Sequence, residues 1–452
     1  MFNLIPNTVD VLVAGAGVAG AVAARRVAEA GHSVLLVDRL PADDVGRKIC
    51  GNGVADDGIE SISHYTEPPA GAEVAWRVDG GVLVLQDGVT RLPVPKSGAV
   101  LNRLLLGQRL LGDAVDAGAL FVERCSCAGW NDRAAGSVRL DVEDGGSRTV
   151  TARVVIDASG YRAVLAKTGG PLRQETVGRD EVGIGYREIV PLTAPLPEPR
   201  TVIVDLGPKE ARGGYAWIFP MGEHLANIGI GAPLHSAGRD LRAAYRSFLD
   251  GYPDVHASEP VDAGAGMLPL RRPLATMVGD GFIAVGDAGC QTNPLHGGGI
   301  APGMVGGGMA GDVVAEALAN GGASAEALWP YNGRFMREIG ARHAGHDFLR
   351  KTLFSLTEEE FDFLTLELTG AGVLMEALAE GGARLPLKHA FRVLAKAARR
   401  PGLVSLFVRA GHLIENIQEL FNDYPDSPAR LDSWLGRVEY TTRALDRLMS
   451  RR

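Results

Sequence analysis

The sequence predicts an α/β protein with three parts: a parallel-sheet domain, an inserted antiparallel β-sheet domain and a helical C-terminal region. Three observations carry this. Residues 9–14 and 33–37 are apolar runs on either side of an alanine-rich stretch with helical spacing, a strand–helix–strand unit. Two more apolar runs ending in small-residue turns follow far downstream, at 153–156 and 282–285, so the first domain is discontinuous. From about residue 325 onward the pattern is helical.

The elements follow in order. Residues 18–30 form the first helix, and residues 40–70 are a Pro-, Gly- and Asp-rich loop with short helices. Residues 74–92 are β, with hairpin turns expected at Gly80-Gly81 and Asp87-Gly88. Residues 102–117 read as an amphipathic helix, and 120–130 and 137–144 as strands. Residues 181–231 are mostly β with proline-rich connections at 191–199, residues 237–250 are helical, and a helix runs to about Leu318. The expected division is 1–75, 96–170 and 265–325 for the first domain, 76–95 and 171–264 for the β-rich domain, and 326–452 for the helices.

Composition narrows the function. A chain of 452 residues, 46% hydrophobic and 22% charged, suits a soluble globular protein of two to three domains. A net charge of −8 argues against nucleic acid as partner. Cys125-x-Cys127 has no second pair to complete a zinc site, so buried strand thiols, no metal and a reducing cytoplasm are expected. The N-terminus lacks a basic n-region, and no apolar run reaches 18 residues, so neither a signal peptide nor a spanning helix is expected.

Gly15-Ala16-Gly17-Val18-Ala19-Gly20 is a G-x-G-x-x-G turn between strand and helix. Gly15 permits the tight turn, Gly17 admits a pyrophosphate, and Gly20 lets the helix approach the strand. Phosphate then sits on the helix N-terminus. Asp38, at the end of the second strand, is placed to accept ribose hydroxyls. The plainer alternative is a tight turn beside a solvated aspartate. In this context the pattern predicts a Rossmann-type dinucleotide site.

Asp157-Ala158-Ser159-Gly160 and Gly286-Asp287-Ala288 close the later strands, and Arg103 opens a helix. With the early glycine turn, these resemble the flavoprotein class that includes p-hydroxybenzoate hydroxylase. The resemblance implies an FAD-binding domain, with Asp287 on the ribityl chain and Arg103, Asp157 and Gly160 at the cofactor. Asn293-Pro294-Leu295-His296-Gly297-Gly298-Gly299-Ile300 then leads into a helix. Backbone at Gly298, Gly299 and Ile300 can approach a flat ring and present N–H groups to negative charge near flavin N1. His296 is a pocket candidate, with a loop histidine bonded to backbone as the plainer reading.

Three further stretches carry a narrower resemblance: Arg47-Lys48-Ile49-Cys50-Gly51-Asn52-Gly53, Tyr215-Ala216-Trp217-Ile218-Phe219-Pro220 with the later Asn227-Ile228-Gly229-Ile230-Gly231, and the NPLHGGGI loop. Together they resemble the geranylgeranyl reductase family over roughly residues 9–320, leaning towards its archaeal ether-lipid branch. The resemblance implies reduction of C=C bonds in polyprenyl chains by hydride from flavin N5 plus a proton. An external donor is implied: ferredoxin, a deazaflavin or NADPH. Lys48, Cys50 and Gly51 fall in the cofactor loop, and Cys50 is the proton-donor candidate, with an inert loop thiol as the alternative.

Tyr215, Trp217 and Phe219 alternate along one strand and therefore share a face. An aromatic face stabilises positive charge developing on a protonated alkene. Gly229 and Gly231 would leave room for the prenyl chain. The alternative is a plain aromatic core face. Other functions on the same fold are an aromatic monooxygenase, a reductase of menaquinone or geranylgeranyl diphosphate side chains, a halogenase (whose W-x-W-x-I-P signature is missing) and a non-enzymatic lipid carrier.

Leu387, Phe391, Leu394 and Ala398 share a helical face, with Lys388, Arg392, Lys396, Arg399 and Arg400 around the rest, and Pro401-Gly402 is expected to stop the helix. Such a helix is either an ordinary packed helix or a peripheral contact with anionic lipid on the inner face of the membrane.

Overall fold

The computed structural model describes residues 5–143, 145–167, 177–208, 211, 213–237, 240–364 and 400–450. Its first sheet runs in the order Val278–Gly279, Phe282–Ala284, Gly146–Asp157, Thr8–Ala14, Val34–Val37, Leu120–Val122. All but the first of these run parallel. Ala14 lies in register with Asp157 on one side and Val37 on the other, and Asp157 with Ala284. The turns that follow these strands therefore lie along one carboxyl edge, where open α/β sheets bind ligands. Val34–Val37 is buried at every position, as a strand covered on both faces must be.

Helices Val18–Glu29, Arg103–Asp116 and Ile300–Ala319 pack beside this sheet. The last two of these contact the first directly. Glycines allow the closest approach. A Cβ at Gly307 would collide with the Ala19 carbonyl, and one at Gly311 would come within 2.6 Å of Arg26 Cβ.

The second sheet has seven strands in the order Asp262–Pro269, Val182–Pro191, Leu225–Pro233, Tyr215–Gly222, Thr201–Asp205, Gly80–Val84, Arg91–Val94. Only Thr201–Asp205 and Gly80–Val84 pair in parallel. One face is apolar. Tyr186, Ala216, Ile218, Ile228 and Ile230 pack with Tyr245 and Phe248 of helix Leu241–Asp250. The opposite face carries Tyr215, Trp217 and Phe219, because side chains alternate along a strand. A small third sheet joins Gly53–Ala55, Gly98–Leu101 and Val74–Val78.

The described C-terminal elements are helical. Helices Ala341–Phe354, Pro401–Asn422 and Leu431–Ser450 share one buried core with the first sheet, which runs from Val11 through Phe348 to Trp434. Trp329 stacks on Tyr424 at 5.8 Å and donates its indole N–H to the Pro425 carbonyl.

Three expectations change. Gly80-Gly81 is not a turn but the start of a strand, where a Cβ at Gly81 would press on Val202 at 2.9 Å. Those glycines serve strand packing. The stretch 120–130 breaks at Arg124, whose φ of 49° separates Leu120–Val122 from Cys125–Asp132. Pro401 opens a helix at its first turn, where a missing N–H costs nothing. The basic stretch 387–399 lies outside the described residues.

Candidate functional site at the carboxyl edge of the parallel sheet

The glycine turn is shaped by close backbone contacts. Gly15 has φ +113°, and a Cβ there would strike the Ala158 carbonyl. A Cβ at Gly20 would strike the Gly15 carbonyl. Gly17 differs: it caps helix Val18–Glu29, it is exposed, and nothing lies within 4 Å of its missing Cβ. Open space in front of a helix N-terminus suits an anion. Asp38 stands beside it, accepting the Ala16 N–H at 2.8 Å and the Leu40 N–H at 2.9 Å. Ala19 is a packing residue. It is buried, and a Cβ at Gly286 would touch it at 3.2 Å.

Asp157 departs from the expected cofactor contact. It is fully buried, and its carboxylate accepts from Ser159 N–H and hydroxyl and from the Leu165 and Ala166 N–H groups. Four internal donors leave it to fix the turn and cap helix Val164–Lys167. Gly160, at φ +72°, opens the short helical turn Gly160–Arg162.

Asp287 begins the next turn. Its carboxylate accepts from Lys48 Nζ at 2.7 Å and from the Thr292 hydroxyl at 2.6 Å. Burial pushes its carboxyl upward, but the Lys48 ammonium, with Thr292 and Arg103, outweighs this and holds it below the ordinary value. Arg103 is 8% exposed, and its Nε has no hydrogen-bond partner. A buried guanidinium N–H without an acceptor is costly, and it marks a place for an acceptor from outside the chain. Gly299 caps helix Ile300–Ala319 without any side-chain cap, and a Cβ at Gly299 would meet the Thr292 hydroxyl at 2.8 Å. The missing side chain at Gly299 thus makes room for Thr292 and brings the helix N-terminus close to Asp287.

The aromatic strand meets this edge from the second sheet. Ring centroids lie 5.9 Å apart for Tyr215 and Trp217 and 6.4 Å for Trp217 and Phe219. The Tyr215 hydroxyl donates to the His296 carbonyl at 2.6 Å, tying the strand to the NPLHGGGI loop. Burial, aided by Cys50, pushes the Tyr215 phenol up to about 12. The His296 ring Nδ1 accepts the Gly298 N–H at 3.2 Å, which is the backbone-bonded arrangement. Desolvation, with Arg342 nearby, lowers His296 to about 4, so the ring is neutral at pH 7. Tyr215 keeps part of its surface accessible and His296 is exposed, so both can be reached at this edge.

Gly229 has a different use from the one expected. A Cβ there would overlap the Trp217 ring. The space beside Gly229 is filled by the indole, which is 8% exposed, and is not a passage for a chain. The Arg47–Gly53 loop packs on the same face. A Cβ at either Gly51 or Gly53 would come within 3.1 Å of the Phe219 ring, and Ile49 fills the space left by Gly264 and Gly266. Cys50 is partly exposed, and its Sγ accepts the Asn52 N–H at 3.3 Å. The structure thus brings Lys48 and Cys50 together with Asp287, Tyr215, Trp217 and Phe219. Sequence reasoning missed Thr292 and Asn227. Asn227 stands inside the NIGIG stretch, where the glycines carry the stronger signal.

Comparisons with known proteins point to one family. A family model described as the geranylgeranyl reductase catalytic domain matches residues 181–268. A digeranylgeranylglycerophospholipid reductase of Sulfolobus acidocaldarius is 29% identical over 437 residues, covering 95% of this chain and 96% of that protein. Digeranylgeranylglycerophospholipid reductase 1 of Methanopyrus kandleri is 32% identical over 340 residues, covering 73% and 86%. Among solved structures, a geranylgeranyl bacteriochlorophyll reductase-like protein from Thermoplasma acidophilum superposes with a TM-score of 0.74 at 22% identity, covering 89% of this chain and 99% of that one. A myxobacterial FAD-dependent chondrochloren halogenase superposes at 0.65 with 18% identity, covering 92% and 97%, a likeness of fold alone. With identity above 30% to a relative across most of both chains, the chain belongs to the geranylgeranyl reductase family.

Proposed function

We propose that this protein is an FAD-dependent reductase that saturates the double bonds of geranylgeranyl chains on isoprenoid ether lipids. The observation that carries the reading is the meeting of the aromatic strand, the Cys50 loop and the NPLHGGGI loop at one edge of the parallel sheet. The relatives named above support the ether-lipid substrate class.

The residues present fit FAD. Gly17 leaves open space at a helix N-terminus for the pyrophosphate. Asp38 stands where ribose hydroxyls need acceptors, and the unpartnered Nε of Arg103 offers a buried donor. Asp287 holds a low, charged carboxyl for the ribityl hydroxyls, and Lys48 now satisfies it. The N-terminus of helix Ile300–Ala319, which has no side-chain cap at Gly299, is the candidate for the flavin ring, while the Gly298 N–H is taken by His296. The discontinuous domain of residues 1–75, 96–170 and 265–325 would hold the cofactor, and the β-rich segments 76–95 and 171–264 the substrate.

When bound and reduced, FAD supplies a hydride for one alkene carbon. The other carbon needs a proton, and the Cys50 thiol is the donor in this reading. Positive charge develops at the more substituted carbon as the proton arrives. The rings of Tyr215, Trp217 and Phe219 lie beside Cys50 and stabilise that charge. The nearly dry setting of Trp217 keeps water from trapping it. Electrons come from an external donor: ferredoxin, a deazaflavin or NADPH. The basic segment near residues 387–400 supports a peripheral lipid contact. No helix among the described residues is long and apolar enough to cross a membrane.

The test is a substrate panel under anaerobic conditions. Dithionite-reduced holoprotein is offered geranylgeranyl ether phospholipid, geranylgeranyl diphosphate and menaquinone, and products are weighed by mass spectrometry. Gains of two hydrogens per double bond, largest for the ether lipid, are expected. A larger gain on diphosphate or menaquinone would move the substrate class. No gain, with NADPH-dependent oxygen uptake on an aromatic substrate, would overturn the reading in favour of a monooxygenase.

A further inference from the structure

We infer that Asn227 is a positioning residue that holds the Cys50 loop on the aromatic strand, so that thiol and indole keep a fixed relation. The inference rests on the reductase reading of Cys50 and Trp217. Asn227 is fully buried in strand Leu225–Pro233, in register with Phe219 of the aromatic strand. Its Oδ1 accepts the Trp217 indole N–H at 3.0 Å, and its Nδ2 donates to the Cys50 carbonyl at 2.8 Å. The amide orientation follows from the partners. An indole N–H only donates and a carbonyl only accepts, so the oxygen must face Trp217 and the nitrogen Cys50.

One amide therefore ties its neighbouring strand to a loop residue 177 positions before it in sequence. It acts on the Cys50 residue itself, because the bonded carbonyl fixes the peptide plane next to the thiol-bearing Cα. Other contacts hold the rest of the loop. Asn52 adopts φ 65°, its carbonyl accepts the Leu101 N–H at 2.9 Å, and Ile49 sits against Gly264 and Gly266. None of these fixes the Cys50 carbonyl. A buried amide carrying a loop on one side and an aromatic wall on the other is a small support shell for a reacting pair.

The two halves of the amide can be separated. Asn227→Leu removes both bonds at similar size. Asn227→Asp keeps the acceptor for Trp217 but, when ionised, offers Cys50 no hydrogen. When protonated it can donate again. The readouts are anaerobic kcat and KM, FAD content, and Cys50 alkylation by iodoacetamide, mapped by peptide mass spectrometry. Cys127, a partly exposed thiol on another strand, serves as internal control.

With N227L we expect kcat to fall about 10- to 100-fold, from misplacement of the proton donor, with little change in KM or FAD content. Cys50 labelling relative to Cys127 should rise several-fold. With N227D the excess of Cys50 labelling over wild type, compared at each pH, should be present at pH 8 and shrink as pH falls and the carboxyl protonates. Cys50 labelling and kcat within twofold of wild type in both variants would overturn the inference. If N227L does not fold, N227D decides: a labelling excess that ignores pH, or none, overturns it. If wild-type protein reduces no prenyl chain, the reductase reading fails, while the labelling pattern still tests the clamp.

Discussion

Cys50 and the Trp217 indole are both bonded to the Asn227 amide, but disturbing each should fail differently. Cys50→Ala is expected to leave FAD content and melting temperature near wild type while lowering kcat about 10²- to 10⁴-fold, the usual worth of a positioned proton donor. An unchanged kcat, measured by lipid mass gain, would make Cys50 a loop thiol. Gly229→Ala instead places a methyl group where the indole lies. It should cost about 1–3 kcal/mol and displace Trp217, read as a lower melting temperature and altered tryptophan fluorescence. Away from the candidate site, Asp347 is fully buried between Arg272, at 3.0 Å, and Arg350, at 2.9 Å. Burial raises its carboxyl, but Lys351, Arg350 and Arg272 overcome this and leave it far below the ordinary value. A carboxyl lowered by folding contributes stability above its unfolded pKa, about 3.9, and loses it as pH falls towards the folded value. Asp347→Asn should therefore cost about 3–5 kcal/mol at neutral pH by leaving the buried Arg350 and the partly buried Arg272 without their carboxylate, and should flatten the loss of stability below about pH 4. Urea titrations at pH 7 and pH 3.5 check both parts.

Between elements, glycine decides how near two backbones can come. Helix Ile300–Ala319 carries Gly303, Gly307 and Gly311 four residues apart, on the face turned to helix Val18–Glu29. A Cβ at Gly303 would lie 3.6 Å from Val18, and one at Gly307 has no room at all against Ala19. Both helices start at proposed cofactor contacts, so separating them should loosen both N-termini at once. Gly307→Val is expected to lower FAD content and to cost about 1–3 kcal/mol from overpacking, checked by flavin absorbance per protein and thermal melting. This stripe was not legible in advance. Glycines in a predicted helix look like weak helix formers, and only the partner helix reveals their use. The same limit explains Gly80-Gly81, where a strand and a hairpin share the same two letters, and Gly229, where the space is filled by a side chain twelve residues earlier in the chain. By contrast, the tight turn at Gly15 and the placement of Asp38 and Asp287 at strand ends were legible, because short motifs at strand ends carry their own local geometry. Asn227 was not, since its two partners come from a neighbouring strand and a distant loop.

Across the whole molecule, two sheets with different tasks are joined by the Arg47–Gly53 loop. Parallel register sets the turns after Ala14, Val37, Asp157 and Ala284 along one edge, and the proposed cofactor side follows from that register. The antiparallel sheet turns its apolar face to helix Leu241–Asp250 and its aromatic face to that edge. Lys48 bridges to Asp287 on the first side, while Cys50 is bonded to Asn227 on the second. The central claim is that this junction delivers two electrons and a proton to an isolated double bond. The most direct measurement is a single anaerobic titration that follows flavin absorbance and lipid mass together. Reduced holoprotein mixed with geranylgeranyl ether phospholipid should reoxidise, and each two-electron equivalent of flavin should appear as one saturated double bond, two mass units at a time. Flavin that stays reduced in the presence of the lipid, or reoxidises without any gain of mass, would contradict the account.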